Sequence, residues 1–183
     1  MTDLERLISW LNLCSISSGE EFILASGERS TVYVDVKKTA LHGKVHKLLA
    51  KLLWDKMVEE FSRKCGVIEA VAGVALGGCH LASIIAMHAP YDLDVIHVRK
   101  NSKDHGTQNL LERPKMAEQQ HVVLVEDVVT TGGSSIKAAE AIEKEGFRLL
   151  GIISVVDRRK TKSSHLGNQW PFVSLVNFEQ LTV

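Results

Sequence analysis

Apolar positions along the chain follow two rhythms, one of three to four residues and one of alternating or continuous short runs, and together they divide it into helices and strands. Leu4, Leu7, Ile8 and Leu11 recur at helical intervals beside Thr2 and Glu5, whose spacing is that of a capping box, so a short amphipathic helix is expected to open the chain. Phe22 to Leu24 and Thr31 to Val36 flank a Ser-Gly-Glu-Arg turn, which predicts a small hairpin. From about Gly43 to Ser62, Val45, Leu48, Leu49, Leu52, Leu53, Met57 and Phe61 mark one face of a long helix. Two strand, loop, helix, strand units follow. The first runs through Val67 to Ala75, Leu76-Gly77-Gly78, His80 to Ala89 and Asp94 to Val98. The second runs through His121 to Asp127, a Thr- and Gly-rich turn, Ser134 to Gly146 and Leu149 to Asp157. Their continuous apolar strands are those of a buried parallel sheet, with Gly146 placed to stop the second helix and Val173 to Val176 as a last strand. The expected fold is α/β: one domain over 1–183 with a mainly parallel central sheet flanked by helices and a small N-terminal hairpin region over about 1–40.

The stretch from Arg99 to about Gln120 breaks the pattern, being polar and without a period of its own. Structureless loops longer than about 12 to 15 residues are usually functional or disordered, and the charge here favours function.

Composition narrows the function classes. Lys plus Arg and Asp plus Glu both total 22, so the formal charge is zero and neither a nucleic-acid tail nor a polybasic membrane anchor is expected. The three cysteines, Cys14, Cys65 and Cys79, form no C-x-x-C pair and leave an odd thiol, which fits a reducing compartment. No run approaches a membrane span, and a soluble cytoplasmic protein is expected. His42 and His46 have i, i+4 spacing without a third ligand and are read as a solvent face. No protein-side metal site is expected, and no Ser or Cys stands in a nucleophile motif.

The most informative segment is Val122 to Ser135, VVLVEDVVTTGGSS, an apolar strand that delivers two acids and then a turn opening a helix. Thr130, Thr131, Gly132, Gly133 and Ser134 can aim amides and hydroxyls at a phosphate, where the helix dipole favours negative charge. Glu126 and Asp127 can accept hydrogen bonds from the vicinal hydroxyls of a sugar whose phosphate lies in that cradle. Ribose 5-phosphate fits both parts. The segment is neither a Walker loop nor a G-x-G-x-x-G fingerprint. Leu76, Gly77 and Gly78 form a second turn at which the backbone can approach an anion closely. Arg99, Lys100, Lys103 and His105 fall within seven residues of the polar stretch, and cations closing over a departing pyrophosphate would stabilise its developing charge.

The pattern of four apolar residues, Glu-Asp, two apolars and Thr-Thr-Gly-Gly-Ser resembles the motif with which type I phosphoribosyltransferases bind phosphoribosyl pyrophosphate (PRPP). V-R-K-x-x-K-x-H-G, from Val98 to Gly106, resembles the catalytic hood loop of orotate phosphoribosyltransferases, and the resemblance covers nearly the whole chain. It implies transfer of a phosphoribosyl group to orotate with release of pyrophosphate in pyrimidine biosynthesis, with Mg2+ carried mainly by PRPP and water. It also implies a homodimer in which the mobile loop, about 99–120, serves the neighbouring subunit, with Lys103 and His105 catalytic beside Glu126 and Asp127. By position, Leu76, Gly77 and Gly78 would bind the pyrophosphate, and Arg99, Lys100 and Lys103 would contact phosphates. Ser26, Gly27, Tyr33, Thr130 and Arg158 would meet the base, although Tyr33 also reads as strand packing and Arg158 as a surface charge. Ala25 stands where many relatives of this type have lysine, and Arg113 where they have glycine. The alternatives are a purine phosphoribosyltransferase and a non-catalytic regulatory protein of the same fold responding to PRPP or a nucleotide.

Overall fold

The computed structural model describes residues 1–23, 29–63, 66–100, 110–159 and 166–182. Helix α1 spans Asp3–Cys14 and starts on the expected capping box: Glu5 N–H donates to the Thr2 hydroxyl and Thr2 N–H donates to the Glu5 carboxylate. Strands β1 (Ile16–Ile23) and β2 (Arg29–Val34) pair antiparallel, so the hairpin is present. Its limits differ from expectation. The first strand begins six residues earlier, and the second stops at Val34 because Asp35 caps a short helix, α2 (Val36–Ala40), by accepting from Lys37 N–H at 3.2 Å. An aspartate that satisfies a free helix amide outweighs the β-branched run that suggested a longer strand.

Helix α3 (His46–Met57) continues into a π-helical turn, Val58–Ser62, and buries Leu48, Leu49, Leu53, Met57 and Phe61 as the sequence predicts. His42 lies in the turn before α3, against Trp10, and half-buried His46 packs on His80 with ring centroids 5.0 Å apart. The expected solvent-facing pair is therefore not formed, since only His46 is helical.

Strand β3 (Ala70–Val74), helix α4 (Gly77–His88), strand β4 (Asp94–Val98), strand β5 (Leu111–Glu112), strand β6 (His121–Val129), helix α5 (Gly133–Lys144), strand β7 (Arg148–Asp157) and strand β8 (Phe172–Asn177) complete the main elements. They form a six-stranded sheet in the order β5-β4-β3-β6-β7-β8, parallel except where β5 runs against β4. The polar stretch thus contributes an edge strand that its lack of period concealed.

Side chains alternate between the two faces of the sheet. Val71, Val123 and Val125 join the core under α1, α3 and α4, whereas Ala70, Ala72, Val122 and Leu124 meet Ala138, Ala139 and Ile142 of α5. Gly151 on β7 makes room for Phe61, whose ring would stand 2.3 Å from an added Cβ. Because α4 and α5 cover opposite faces, the chain changes direction of winding between β3 and β6. A crevice opens there beyond the carboxyl ends of the strands, where open α/β sheets bind ligands. Among the described residues, no helix is long and apolar enough to cross a membrane.

Candidate active site

Two turns leave adjacent strands at this switch point and press together. After β3 the chain passes a cis peptide between Ala75 and Leu76 and enters α4 directly at Gly77, so the expected loop glycines are the first residues of the helix. A Cβ on Gly73 would lie 2.1 Å from the Gly78 carbonyl oxygen, and one on Gly77 would lie 2.1 Å from Asp127 Oδ2. Only glycine lets this turn lie flat against β6.

Strand β6 carries Glu126 and Asp127 and runs two residues past them. Asp127 stays partly open, with Oδ1 accepting from Val128 N–H at 2.9 Å and Oδ2 facing Gly77 and Lys37 Nζ, the latter at 3.9 Å. Glu126 is buried, and its Oε1 accepts from the hydroxyls of Ser134 at 2.9 Å and Ser135 at 3.0 Å. Burial pushes the Glu126 carboxyl up to about 7; the Asp127 charge adds to this, while the two serines and Lys100 oppose it. Glu126 therefore ties the sheet to the first turn of α5.

That first turn is the expected phosphate cradle. Gly132 takes φ +81°, a left-handed conformation natural to glycine, and the Leu166 side chain lies 3.4 Å from where a Cβ would stand. Thr131 accepts from Gly133 N–H through its hydroxyl at 3.4 Å. The cradle forms one wall of a cavity of about 350 Å³, which Val74, Arg99, Lys100 and Lys137 also line. Amides at the start of a helix have no intrahelical acceptors, so this wall suits an anion.

Arg99 and Lys100 follow β4 at the mouth of the cavity. The Arg99 amide donates to the Leu110 carbonyl at 2.9 Å and its guanidinium pairs with Glu112 of β5, so β5 fixes the base of the charged stretch. Lys103 and His105 lie outside the described residues, as do Ser26, Gly27 and Ala25. Arg113, beyond β5, donates to Glu145 at 3.2 Å and covers Phe147, tying the far end of the stretch to the core.

On the other side, the hairpin approaches the end of β7. Tyr33 stacks on Phe22 with centroids 5.5 Å apart, and the neighbouring Val32 carbonyl accepts from Arg158 at 3.2 Å. Arg158 also lies over the Phe178 ring, and burial lowers its pKa. The next residue, Arg159, makes a buried pair with Asp157 at 2.9 Å, stacks on Phe172 and donates to the carbonyl of Leu166, the residue that closes over Gly132. Cys79 donates its thiol to the Gly73 carbonyl, and burial raises its pKa, which suits packing rather than nucleophilic attack.

The structure thus brings Leu76 to Gly78, Arg99, Lys100, Glu126, Asp127 and Thr130 to Ser134 around one crevice, with Tyr33 and Arg158 linked through the hairpin. Three site residues went unrecognised in the sequence: Lys137, one turn into α5, and the pair Asp35 and Lys37. Lys137 had a usable signal, four residues after Gly133 on the face that starts at the cradle.

A profile for the phosphoribosyl transferase domain matches residues 41–179. The orotate phosphoribosyltransferase of Thermococcus kodakarensis is 39% identical over 160 residues, covering 87% of this chain and 83% of that protein. The orotate phosphoribosyltransferase of Sorangium cellulosum is 37% identical over 158 residues, covering 84% and 79%. A crystal structure of Mycobacterium tuberculosis orotate phosphoribosyltransferase in complex with inorganic phosphate superposes with a TM-score of 0.77 at 26% identity, covering 99% of each chain. With the crevice, the cradle and the two glycine turns in place, these likenesses agree with the geometry: the chain belongs to the phosphoribosyltransferase family, among its orotate phosphoribosyltransferases.

Proposed function

We infer that this chain is an orotate phosphoribosyltransferase, converting orotate and PRPP to orotidine 5'-monophosphate and pyrophosphate in pyrimidine biosynthesis. The observation that carries the reading is the meeting of the Glu126-Asp127 strand, the Thr130 to Ser134 cradle and the Gly77-Gly78 turn at one crevice. A nitrogen of the base forms its bond to C1 of the ribose as the C1–O bond breaks, and the bonding pair leaves with the pyrophosphate.

The roles divide by chemistry. The cradle holds the 5-phosphate, Asp127 accepts from ribose hydroxyls, and Glu126 holds the cradle against the sheet. Gly77 and Gly78 admit the diphosphate, and Arg99, Lys100, Lys103 and His105 oppose its growing charge. Tyr33 and Arg158, with Ser26, Gly27 and Thr130, enclose the base. Positioning and electrostatics supply most of the rate.

Magnesium suits this donor set. The ion favours hard oxygens and binds through one or two carboxylates together with substrate phosphates, and Asp127 has a partly open carboxylate beside the diphosphate turn. When bound, it would neutralise charge on the leaving pyrophosphate. The ion would be carried mainly by oxygens of PRPP and water, with Asp127 receiving the ribose hydroxyls beside it.

We further propose that the protein is a cytoplasmic homodimer in which the loop carrying Lys103 and His105 acts in the partner's crevice. What supports this is the resemblance of Val98 to Gly106 to the hood loop, together with the meeting of the stretch's described ends, Arg99 and Leu110, at the mouth of the crevice. Pyrophosphate release measured with PRPP, magnesium and a panel of bases tests the function. Orotate alone should support turnover. Preference for a purine would change the substrate, and PRPP binding without turnover of any base would favour a regulatory protein.

A further inference from the structure

We propose that Lys37 is a further positioning residue of this reaction, whose ammonium, tethered by Asp35, holds the Asp127 carboxylate in place beside the diphosphate turn. The proposal rests on the orotate phosphoribosyltransferase reading above.

Asp35 grips Lys37 at both ends. Its Oδ1 accepts from the Lys37 backbone amide at 3.2 Å as the cap of α2, and the same oxygen pairs with Lys37 Nζ at 2.6 Å. The lysine stem is thereby folded back rather than left to wander in solvent. From that anchored position Nζ lies 3.9 Å from Asp127 Oδ2, too far for a direct hydrogen bond but close enough to orient a carboxylate by charge.

Asp127 is then constrained from three sides. Val128 N–H fixes Oδ1, the flat backbone of Gly77 blocks movement toward β3, and Lys37 attracts Oδ2. Each constraint comes from a different element, and none of them serves the hydrophobic core. Both partners keep access to solvent, with side-chain exposures of 38% for Lys37 and 21% for Asp127.

The chemistry of the substrate gives this cation a purpose. An acid that receives ribose hydroxyls must sit next to a diphosphate, and two negative groups at that distance repel. A neighbouring ammonium offsets the repulsion while leaving the carboxylate free to accept hydrogen bonds. Burial works against the charged form of Lys37, but its hydrogen bond to Asp35 and the charges of Asp127 and Asp35 outweigh it and raise its pKa.

The test is steady-state kinetics on the full chain carrying Lys37→Ala or Lys37→Arg, each alone and combined with Asp127→Asn, with thermal melting as the folding control. Lys37→Ala should raise KM for PRPP about tenfold and KM for orotate less than about twofold, and Lys37→Arg should recover most of the loss. In the Asp127→Asn background, Lys37→Ala should add less than about a further twofold, since residues acting as one unit are not additive. Equal losses in both backgrounds would overturn the proposal, because Lys37 would then act without Asp127. So would an active wild type whose PRPP kinetics are unchanged by Lys37→Ala. A wild type that turns over no base removes the enzymatic reading and this proposal together.

Discussion

Gly77 and Asp127 meet across the gap between β3 and β6 with no room for a methyl group, the Cβ position on Gly77 falling 2.1 Å from Asp127 Oδ2. The two nearest obstructing atoms belong to a carboxylate that can swing away, and the Asp127 Cβ at 2.8 Å asks a further small shift of the turn, so a Gly77→Ala protein can fold by giving up the aim of its carboxylate. The loss should fall on function: kcat/KM for PRPP should drop at least about tenfold, or about 1.4 kcal/mol of transition-state stabilisation. Gly73→Ala is different, because its Cβ would meet the backbone carbonyl of Gly78 at the same 2.1 Å. Its melting temperature should fall well below that of Gly77→Ala, and the reverse order would contradict this account of the two turns.

Glu126 should make stability depend on pH in a definite direction. Its carboxyl is raised from the ordinary 4.5 to about 7 in the folded protein, so folding favours the protonated form. That contribution is fully present below about pH 4.5 and is lost as pH rises through about 7. Glu126→Gln, which cannot ionise, should lose less stability than wild type between pH 5 and 8. The difference between the two proteins should change by an amount on the order of 3 kcal/mol across the window. Denaturant titrations at several pH values would measure it, and parallel curves would mean that Glu126 ionises in the fold as freely as in water.

Arg158 offers a test of base selection. A site that aims this guanidinium at the orotate carboxylate gains that charged contact with orotate and not with uracil, so uracil should support no turnover. Arg158→Ala should raise KM for orotate at least about tenfold with a smaller effect on PRPP. Because Arg158 also donates to Val32 and covers Phe178, a modest fall in melting temperature is expected as well. Equal rises in both Michaelis constants would assign Arg158 to holding the hairpin rather than to the base.

Loop exchange between subunits predicts complementation. Lys103→Ala and Asp127→Asn homodimers should each be poor enzymes, yet mixing should assemble one crevice carrying neither change. Activity should reappear with the time course of subunit exchange. Demonstrated exchange without recovery would place Lys103 in its own subunit's site or outside catalysis.

Much of this was legible in the sequence because it depends on local rules. Burial on both faces makes β3, β6 and β7 read as unbroken apolar runs, and the capping pair Thr2 and Glu5 fixes the start of α1 within four residues. The Glu126 to Ser134 segment was readable for the same reason, since strand, acids and cradle are contiguous. Lys37 was not. Asp35-Val36-Lys37 looks like the end of a strand followed by solvated charge, and the meaning of Lys37 depends on Asp127, which is ninety positions away in sequence and adjacent in space. His46 was misread on similar grounds, because its neighbour His80 arrives on another helix. The edge strand β5 escaped notice because two residues carry too little pattern to mark a strand.

Arg158 and Arg159 are consecutive, yet one reaches the hairpin and the other fastens the strand end to Leu166 over the cradle. Their division of labour depends on counting from β7, whose register is set against β6 and β8 as far as Asp157. Evolutionary drift here is consequently restricted in kind. Exchange of one side chain weakens one attachment, whereas insertion or deletion of a single residue between Val155 and Arg159 would interchange the directions of everything beyond it. Related sequences should therefore vary in residue identity across this segment far more readily than in length.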